Sequence, residues 1–168
     1  AHPKDTRETA PLCILDTCTG SGAIGIALAV RLHGSGIPVH LHLVDLSETA
    51  LDFARRNVER YCSGFPVEIE QNDLFPAAPV MFDLITANPP YIEDSVLPGL
   101  MPEVSRYEPS LALSGGDDGL DVYRRILDRA VLFLKPGGHL LMEHGYDQAL
   151  AVARLIRRTP GLTEPILL

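Results

Sequence analysis

Residues 14–25 read Ile-Leu-Asp-Thr-Cys-Thr-Gly-Ser-Gly-Ala-Ile-Gly, an apolar run that leads through a glycine-rich turn into a helix-like pattern. Glycines at such a turn let the backbone pass close to a ligand, and the first N–H groups of the helix are free to bind an anion. The same stretch could also be a tight strand-to-helix turn that binds nothing. The motif alone does not decide between the two interpretations, so the strands that follow it become the evidence.

Short apolar runs alternate with longer amphipathic runs along the chain, which is typical of parallel strands joined by helical crossovers. The runs predict strands at residues 13–16, 39–45, 67–71, 82–87, 139–143 and 164–168. Helices are predicted at residues 23–33, 48–62, 120–134 and 146–158, with Ser47 and Asp121 as cap or first-turn residues. The fold class is therefore α/β, a mostly parallel sheet with helices on both faces.

Length, charge and cysteine content restrict the class of protein. The 168 residues suit one domain, with residues 1–11 as a linker and residues 12–168 as the folded unit. A net charge of −8 disfavours a nucleic-acid partner. Neither a signal peptide nor a membrane span is evident, so we expect a cytoplasmic protein. We also expect it to be a monomer. Cys13, Cys18 and Cys62 lack metal-ligand spacing, and His40 and His42 are read as surface or satisfied core residues, so no metal is expected.

Polar residues follow the second and third predicted strands, where a parallel sheet binds its ligands. Asp45 ends the second strand, and its carboxylate can accept both ribose hydroxyls of an adenosine cofactor. Asn72 or Asp73 follows the third strand and can bind the adenine amino group. Each feature has a plain alternative, a helix cap for Asp45 and an ordinary turn for Asn72-Asp73. Three ligand-like elements at successive strand ends favour a nucleotide-type cofactor, and NAD remains open at this point.

The fourth strand leads into Asn88-Pro89-Pro90-Tyr91, which has no use in hydride transfer but suits methylation of a planar nitrogen. An amide nitrogen is a poor nucleophile until its hydrogens are held and its lone pair is aimed. The side-chain oxygen of Asn88 and the carbonyl of Pro89 can accept those hydrogens, and Tyr91 offers an aromatic face. The long connection from residue 89 to residue 119, rich in proline and glycine, is the candidate substrate-facing segment.

These motifs together resemble the release-factor glutamine methyltransferase family, known as HemK or PrmC. The resemblance rests on residues 16–25, Asp45, residues 72–75 and residues 88–91, and it continues through residues 103–113, 115–120, 123–126, 134–138 and 145–148. Cys18, in place of the family's usual glycine, and Glu143-His144-Gly145, in place of Glu-Ile-Gly, depart from the pattern. The Asn-Pro-Pro-Tyr signature also occurs in adenine-N6 DNA methyltransferases.

The resemblance implies a Rossmann-like class I S-adenosylmethionine-dependent methyltransferase domain with a seven-stranded sheet, here expected to be truncated at both ends. It implies methyl transfer to the N5 atom of a glutamine, in the Gly-Gly-Gln motif of peptide-chain release factors, with S-adenosylhomocysteine as product. Alternatives are a ribosomal-protein glutamine methyltransferase, an adenine-N6 nucleic-acid methyltransferase and a non-catalytic fragment that only binds the cofactor. The expected catalytic residues are Asn88, Pro89 and Tyr91, and the expected cofactor-binding residues are Asp16, Thr17, Gly20, Gly22, Asp45, Leu46, Asn72, Asp73, Leu74 and Asn88.

Overall fold

Five parallel strands form one sheet in the part of the chain described by the computed structural model, residues 10–99 and 110–167. The strands are β1 (Leu12–Thr17), β2 (Val39–Asp45), β3 (Val67–Gln71), β4 (Phe82–Ala87) and β5 (Leu134–Met142). They pair in the order β3-β2-β1-β4-β5. Along the chain, β2 and β3 add to one side of β1, and β4 and β5 then add to its other side. That reversal opens a crevice at the carboxyl ends of β1 and β4, where such sheets bind ligands.

The helices lie on both faces of this sheet. They are α1 (Ala23–Gly34), α2 (Glu48–Tyr61), the single turn α3 (Ser110–Leu113), α4 (Asp121–Phe133) and α5 (Ala149–Arg158), with a 3-10 turn at Leu97–Gly99. Helices α1 and α2 pack on β1, β2 and β3, while α4 packs on β5 and against α5. No helix among the described residues is long and apolar enough to cross a membrane.

Neighbouring residues of the central strand serve two separate hydrophobic cores, because successive side chains of a strand point to opposite faces. Ile14 joins the core under α1 and α2, whereas Leu15 joins the core under α4. Most positions of β1 and β2 before their last residues are apolar because both faces of the sheet are covered, and His40 and His42 are the polar exceptions inside β2. This packing fixes the strand register and thereby the positions of the residues that follow each strand.

The structure confirms most of the predicted elements. The predicted bounds of β2, β3 and β4 match the observed ones, and Ser47 caps α2 by accepting a hydrogen bond from the Ala50 N–H. Asp121 is in the first turn of α4. Most of the expected linker, residues 1–11, and most of the motif at residues 103–113 lie outside the described residues.

Three predicted boundaries are wrong. Residues 164–167 form no strand, and α5 begins at Ala149 because residues 146–148 form a turn with Tyr146 exposed. Strand β5 begins at Leu134, five residues before its predicted start. Leu134 pairs with Phe82 and His139 with Leu84, so four residues of β5 bulge opposite one residue of β4. The glycine at position 137 adopts the expected left-handed conformation in this bulge.

Candidate functional site

The buried side chain of Asp16 holds the glycine-rich turn in place by accepting hydrogen bonds. Its side chain is 1% exposed, and its oxygens accept hydrogen bonds from the Thr19 hydroxyl at 2.5 Å, the Gly25 N–H at 3.1 Å and the Thr86 hydroxyl at 2.6 Å. Burial raises the pKa of Asp16, and the three donors oppose that rise. The carboxylate therefore joins the turn, the start of α1 and β4. Its predicted role in holding a cofactor stays a prediction.

The turn itself uses left-handed backbone angles at Cys18, Gly20 and Gly22. The two glycines adopt such angles freely, whereas Cys18, at φ 52°, is a residue type that rarely does so. A glycine at position 18 would adopt this conformation without strain. Burial raises the pKa of the Cys18 thiol to about 12, with a further rise from the Asp45 charge, so the thiol is protonated and is not a nucleophile at neutral pH.

Asp45 lies beside this turn, as the sequence predicted for the acid after the second strand. One carboxylate oxygen accepts the Gly20 N–H at 2.7 Å, and the other accepts the Ser47 N–H at 2.9 Å. A carboxylate has about four acceptor positions, so two remain for a ligand. Leu46 is 48% exposed next to it. The second strand therefore presents an acceptor and an apolar surface at the same edge.

The end of β3 lies next to Asp45, because the Asn72 N–H donates to the Asp45 carbonyl at 3.0 Å. The Asn72 side chain is engaged, donating to Glu70 at 2.9 Å and accepting from the Asp73 N–H at 2.7 Å. One carboxylate oxygen of Asp73, Oδ2, forms an ion pair with Arg125 of α4. The other, Oδ1, makes no hydrogen bond with any described residue and is available to a ligand.

Thr17 and Leu74 hold the ends of β1 and β3 together. The Thr17 hydroxyl donates to the Leu74 carbonyl at 2.5 Å, and both side chains are buried. Leu74 has a left-handed backbone, with φ at 68°. Their predicted contact with a cofactor stays a prediction, and the contacts present are internal.

Asn88 follows β4 at the crevice between β1 and β4, since Ala87 pairs with Thr17. Its side chain is exposed and makes no hydrogen bond with any described residue. Pro89 is buried, whereas Tyr91 is partly exposed. The structure thus brings the predicted amide-binding residues to the same sheet edge as Gly20 and Asp45. An exposed amide beside the glycine-rich turn is available to a second ligand.

Gln148 fixes the loop that carries Tyr91, and sequence reasoning assigned no role to it. Its Nε2 donates to the carbonyls of Tyr91, at 2.9 Å, and Gly119, at 3.3 Å, while its Oε1 accepts the Gly145 N–H at 3.1 Å. A Cβ added to Gly119 would lie 2.5 Å from the Tyr91 carbonyl oxygen, so only glycine fits there. The sequence signal was the run at residues 145–148, which could not reveal partners 29 and 57 residues away.

Two hydrogen bonds hold the end of β5 beside β4 and α4. The Glu143 N–H donates to the Ala87 carbonyl at 2.9 Å, and the fully buried Tyr123 donates its hydroxyl to the Glu143 carbonyl at 2.8 Å. Burial raises the pKa of Tyr123, so it stays protonated as a donor. Helix α4 therefore contacts both flanks of the site, through Tyr123 on this side and Arg125 on the other.

Comparisons with known proteins place this site in a family. The model of the "Methyltransferase small domain" family matches residues 6–99. A release factor glutamine methyltransferase from Geobacter sulfurreducens is 43% identical over 149 residues, which cover 87% of this chain and 50% of the relative. One from Streptomyces coelicolor is 42% identical over 139 residues, covering 81% of this chain and 47% of the relative. The chain thus spans about half the length of these relatives.

Solved structures agree on the fold. A ribosomal protein L11 methylase from Lactobacillus delbrueckii subsp. bulgaricus superposes with a TM-score of 0.60 at 17% identity, covering 91% of this chain and 62% of that one. A methyltransferase from Pyrococcus furiosus gives 0.58 at 19% identity, covering 86% and 62%. The fold is the Rossmann-like fold of class I S-adenosylmethionine-dependent methyltransferases. With its matched family model covering more than half of its residues, this chain belongs to the methyltransferase small domain family.

Proposed function

We propose that this chain transfers a methyl group from S-adenosylmethionine to the N5 atom of a glutamine in a protein, with the Gly-Gly-Gln motif of peptide-chain release factors as substrate. The observation that carries the proposal is the amide of Asn88, which is exposed at the carboxyl edge of the sheet beside the glycine-rich turn and has no hydrogen bond with the residues that the structure describes. The names of the relatives, of which this chain spans about half, support the choice of substrate. The acidic net charge of −8 argues against nucleic acid.

The residues at this edge fit S-adenosylmethionine. The two free acceptor positions of Asp45 suit the ribose hydroxyls, and the exposed Leu46 suits the flat adenine ring. The adenine amino group needs an acceptor, and Oδ1 of Asp73 is free while the Asn72 oxygen is engaged. We therefore assign the adenine contact to Asp73. The turn at Gly20 and Gly22 leads to the amino end of α1, which favours the carboxylate of the cofactor.

The chemistry needs little beyond positioning. When bound, the cofactor supplies an electrophilic methyl group on a positively charged sulfur. Asn88 Oδ1 and the Pro89 carbonyl accept the two hydrogens of the glutamine amide, which turns its nitrogen lone pair toward the methyl carbon. The N–C bond forms as the C–S bond breaks, and the methylated nitrogen then loses a proton to water. Alignment of two reactants supplies roughly 7 to 11 kcal/mol of barrier reduction in favourable cases.

Tyr91 covers one face of the substrate amide in this proposal, and Gln148 keeps the Tyr91 backbone in place. The partner in this proposal is a release factor. The chain acts on it as a monomer, in the cytoplasm. The free thiols of Cys13, Cys18 and Cys62 support a reducing compartment.

The test measures turnover and cofactor affinity separately for Asn88→Ala. We expect methyl transfer to a Gly-Gly-Gln peptide to fall by about two orders of magnitude or more, as for loss of an orienting hydrogen-bond group. The sequence offered Asn88 both as a catalytic and as a cofactor-binding residue, and we assign it to the glutamine amide alone. The dissociation constant for S-adenosylmethionine, measured by calorimetry, should therefore stay within about twofold. Glu59→Ala, at an exposed position near the end of α2 and away from the proposed site, is the control and should behave as wild type.

Radiolabelled methyl transfer to release factor, ribosomal protein and DNA side by side identifies the substrate. Label on DNA alone or on ribosomal protein alone would refute the release-factor assignment. Equal losses of turnover and cofactor affinity in Asn88→Ala would refute the role given to Asn88. Cofactor binding without transfer to any of the three would leave the non-catalytic alternative as the correct one.

A further inference from the structure

Three potential metal ligands lie side by side on one face of the sheet, away from the proposed active site. His40 and His42 are alternate residues of β2, so they point to the same face, and Glu68 of β3 stands directly opposite His42. His42 and His40 precede Asp45 by three and five residues, which is roughly 10 to 16 Å along a strand. The cluster is therefore separate from the cofactor-binding edge.

The geometry brings one ligand atom from each of the three residues within 4.8 Å of the others. His40 Nε2 lies 3.0 Å from one Glu68 oxygen, and His42 Nδ1 lies 3.6 Å from the other. Zinc binds imidazole nitrogen and carboxylate oxygen at about 2.0 to 2.2 Å, so two ligands of one ion are at most about 4 Å apart. Glu68 is exposed and on the edge strand, so a small side-chain movement closes the remaining distance.

The Glu68 carboxylate is the polar neighbour shared by both imidazoles. His40 is partly exposed, and its Nε2 lies at ion-pair distance from one Glu68 oxygen, whereas the Nδ1 of His42 faces the other oxygen. The expectation of a surface or satisfied core residue therefore fits His40. It does not fit the Nε2 of His42, which is buried without a partner among the described residues. The metal ligand of His42 in this cluster would be Nδ1, the nitrogen on the side of Glu68.

The kinds of ligand also suit a zinc-type ion. Two imidazoles and one carboxylate form a set that zinc-type ions use, whereas magnesium and calcium prefer oxygen ligands alone.

Packing alone is the competing explanation. The His40 and His42 ring centres are 4.5 Å apart, and the His42 ring meets Phe82 edge-on at 5.0 Å. These contacts account for the burial of the rings but not for the carboxylate placed between their nitrogen atoms. We propose that His40, His42 and Glu68 bind a zinc-type divalent ion that joins the edge strand β3 to β2. The ion would stabilise the fold because it binds only when the two strands are paired.

The test titrates Zn²⁺ into chelator-treated protein and follows calorimetric heat and the thermal unfolding midpoint, with Mg²⁺ as the comparison ion. We expect one Zn²⁺ per chain, a raised midpoint, and no effect of Mg²⁺. Glu68→Gln and His42→Ala should each weaken Zn²⁺ binding by about tenfold or more, since each removes a ligand. His139→Gln removes an exposed histidine of β5 and should leave the affinity unchanged.

Absence of Zn²⁺ binding, or equal binding by wild type and Glu68→Gln, would overturn the proposal. Because Glu68 is exposed, its variant decides the question even if the buried His42→Ala fails to fold. Co²⁺ in place of Zn²⁺ separates this site from the free cysteines, since thiolate ligands give intense charge-transfer absorption. Such bands would place the ion at a thiol and refute the proposal. None of these measurements depends on methyl transfer, so failure here leaves the proposed function untouched.

Discussion

Replacing Gln148 tests whether the substrate loop must be held in place for turnover. Glutamate is the sharpest change because it keeps the length of the side chain and the oxygen that accepts the Gly145 N–H. It removes the amide that donates to the carbonyls of Tyr91 and Gly119. The side chain of Gln148 makes no capping hydrogen bond to α5, so the helix start is not affected.

The expected loss follows from the two hydrogen bonds. Each contributes about 0.5 to 1.5 kcal/mol net, so the held loop conformation loses about 1 to 3 kcal/mol relative to displaced ones. If only the held conformation positions the substrate amide, kcat falls roughly 5- to 150-fold. Cofactor affinity should stay within about twofold, because neither bond involves the residues assigned to the cofactor.

The assay compares Gln148→Glu and Gln148→Ala by initial rates on a Gly-Gly-Gln peptide and by calorimetry with S-adenosylmethionine. Both variants should lose turnover, and thermal unfolding should show both to be folded. A Gln148→Glu enzyme with wild-type kcat would refute the reasoning, since it would show that the donor bonds to Tyr91 and Gly119 do not matter. Parallel losses of kcat and cofactor affinity would show that Gln148 supports the whole site and not this loop.

Three further predictions concern the glycine-rich turn. Asp45→Ala should weaken S-adenosylmethionine binding by about 1.5 to 3 kcal/mol in calorimetry, the range for bonds to a charged group, and an unchanged dissociation constant would remove Asp45 from the ribose site. Because burial raises the pKa of Asp16, its contribution to stability is present at low pH and is lost as pH rises through the folded-state pKa. Asp16→Asn, whose amide can face the Thr86 hydroxyl, should therefore gain stability relative to wild type as pH rises from about 4 to 7 in urea unfolding, and parallel pH curves would contradict this. With a pKa of about 12, Cys18 should react with iodoacetamide at pH 8 about a thousandfold more slowly than a thiol of pKa 9.0, as followed by mass spectrometry, and labelling at the rate of a free thiol would show that it is not buried.

The sequence was sufficient wherever a local pattern determines structure. Strands β2, β3 and β4 were predicted with their observed bounds because short runs that are mainly apolar, or that alternate apolar and polar residues as β3 does, are flanked by proline, asparagine or other polar residues. The strand-end residues Asp45 and Asn88 were found for the same reason, since parallel strands bring their carboxyl ends to one edge. Strand β5 was misplaced because its first residue pairs with Phe82 across a bulge, and a bulge depends on the partner strand.

Contacts between distant segments could not be predicted from the sequence. The Gln148 contacts depend on how three loops meet, and nothing in residues 145–148 specifies those partners. The cluster of His40, His42 and Glu68 depends on the register between β2 and β3. Two alternate histidines by themselves favoured an ordinary strand over a metal site. The third ligand of the cluster, Glu68, lies 26 residues beyond His42 in the chain, so the spacing did not reveal it.

The position of β1 at the centre of the sheet has a consequence for folding kinetics. Each of its two polar residues has one partner from far along the chain: the Leu74 carbonyl bonded to Thr17 is 57 residues away, and the Thr86 hydroxyl bonded to Asp16 is 70 residues away. Such non-local pairs form late, because long loops must close before the contact is gained. The amino-terminal half of the chain therefore holds the glycine-rich motif but cannot complete it while β4 is unpaired. The turn proposed to hold the cofactor is therefore complete only after β4 has paired with β1, and a chain whose synthesis has not yet reached β4 lacks the Thr86 hydrogen bond to Asp16.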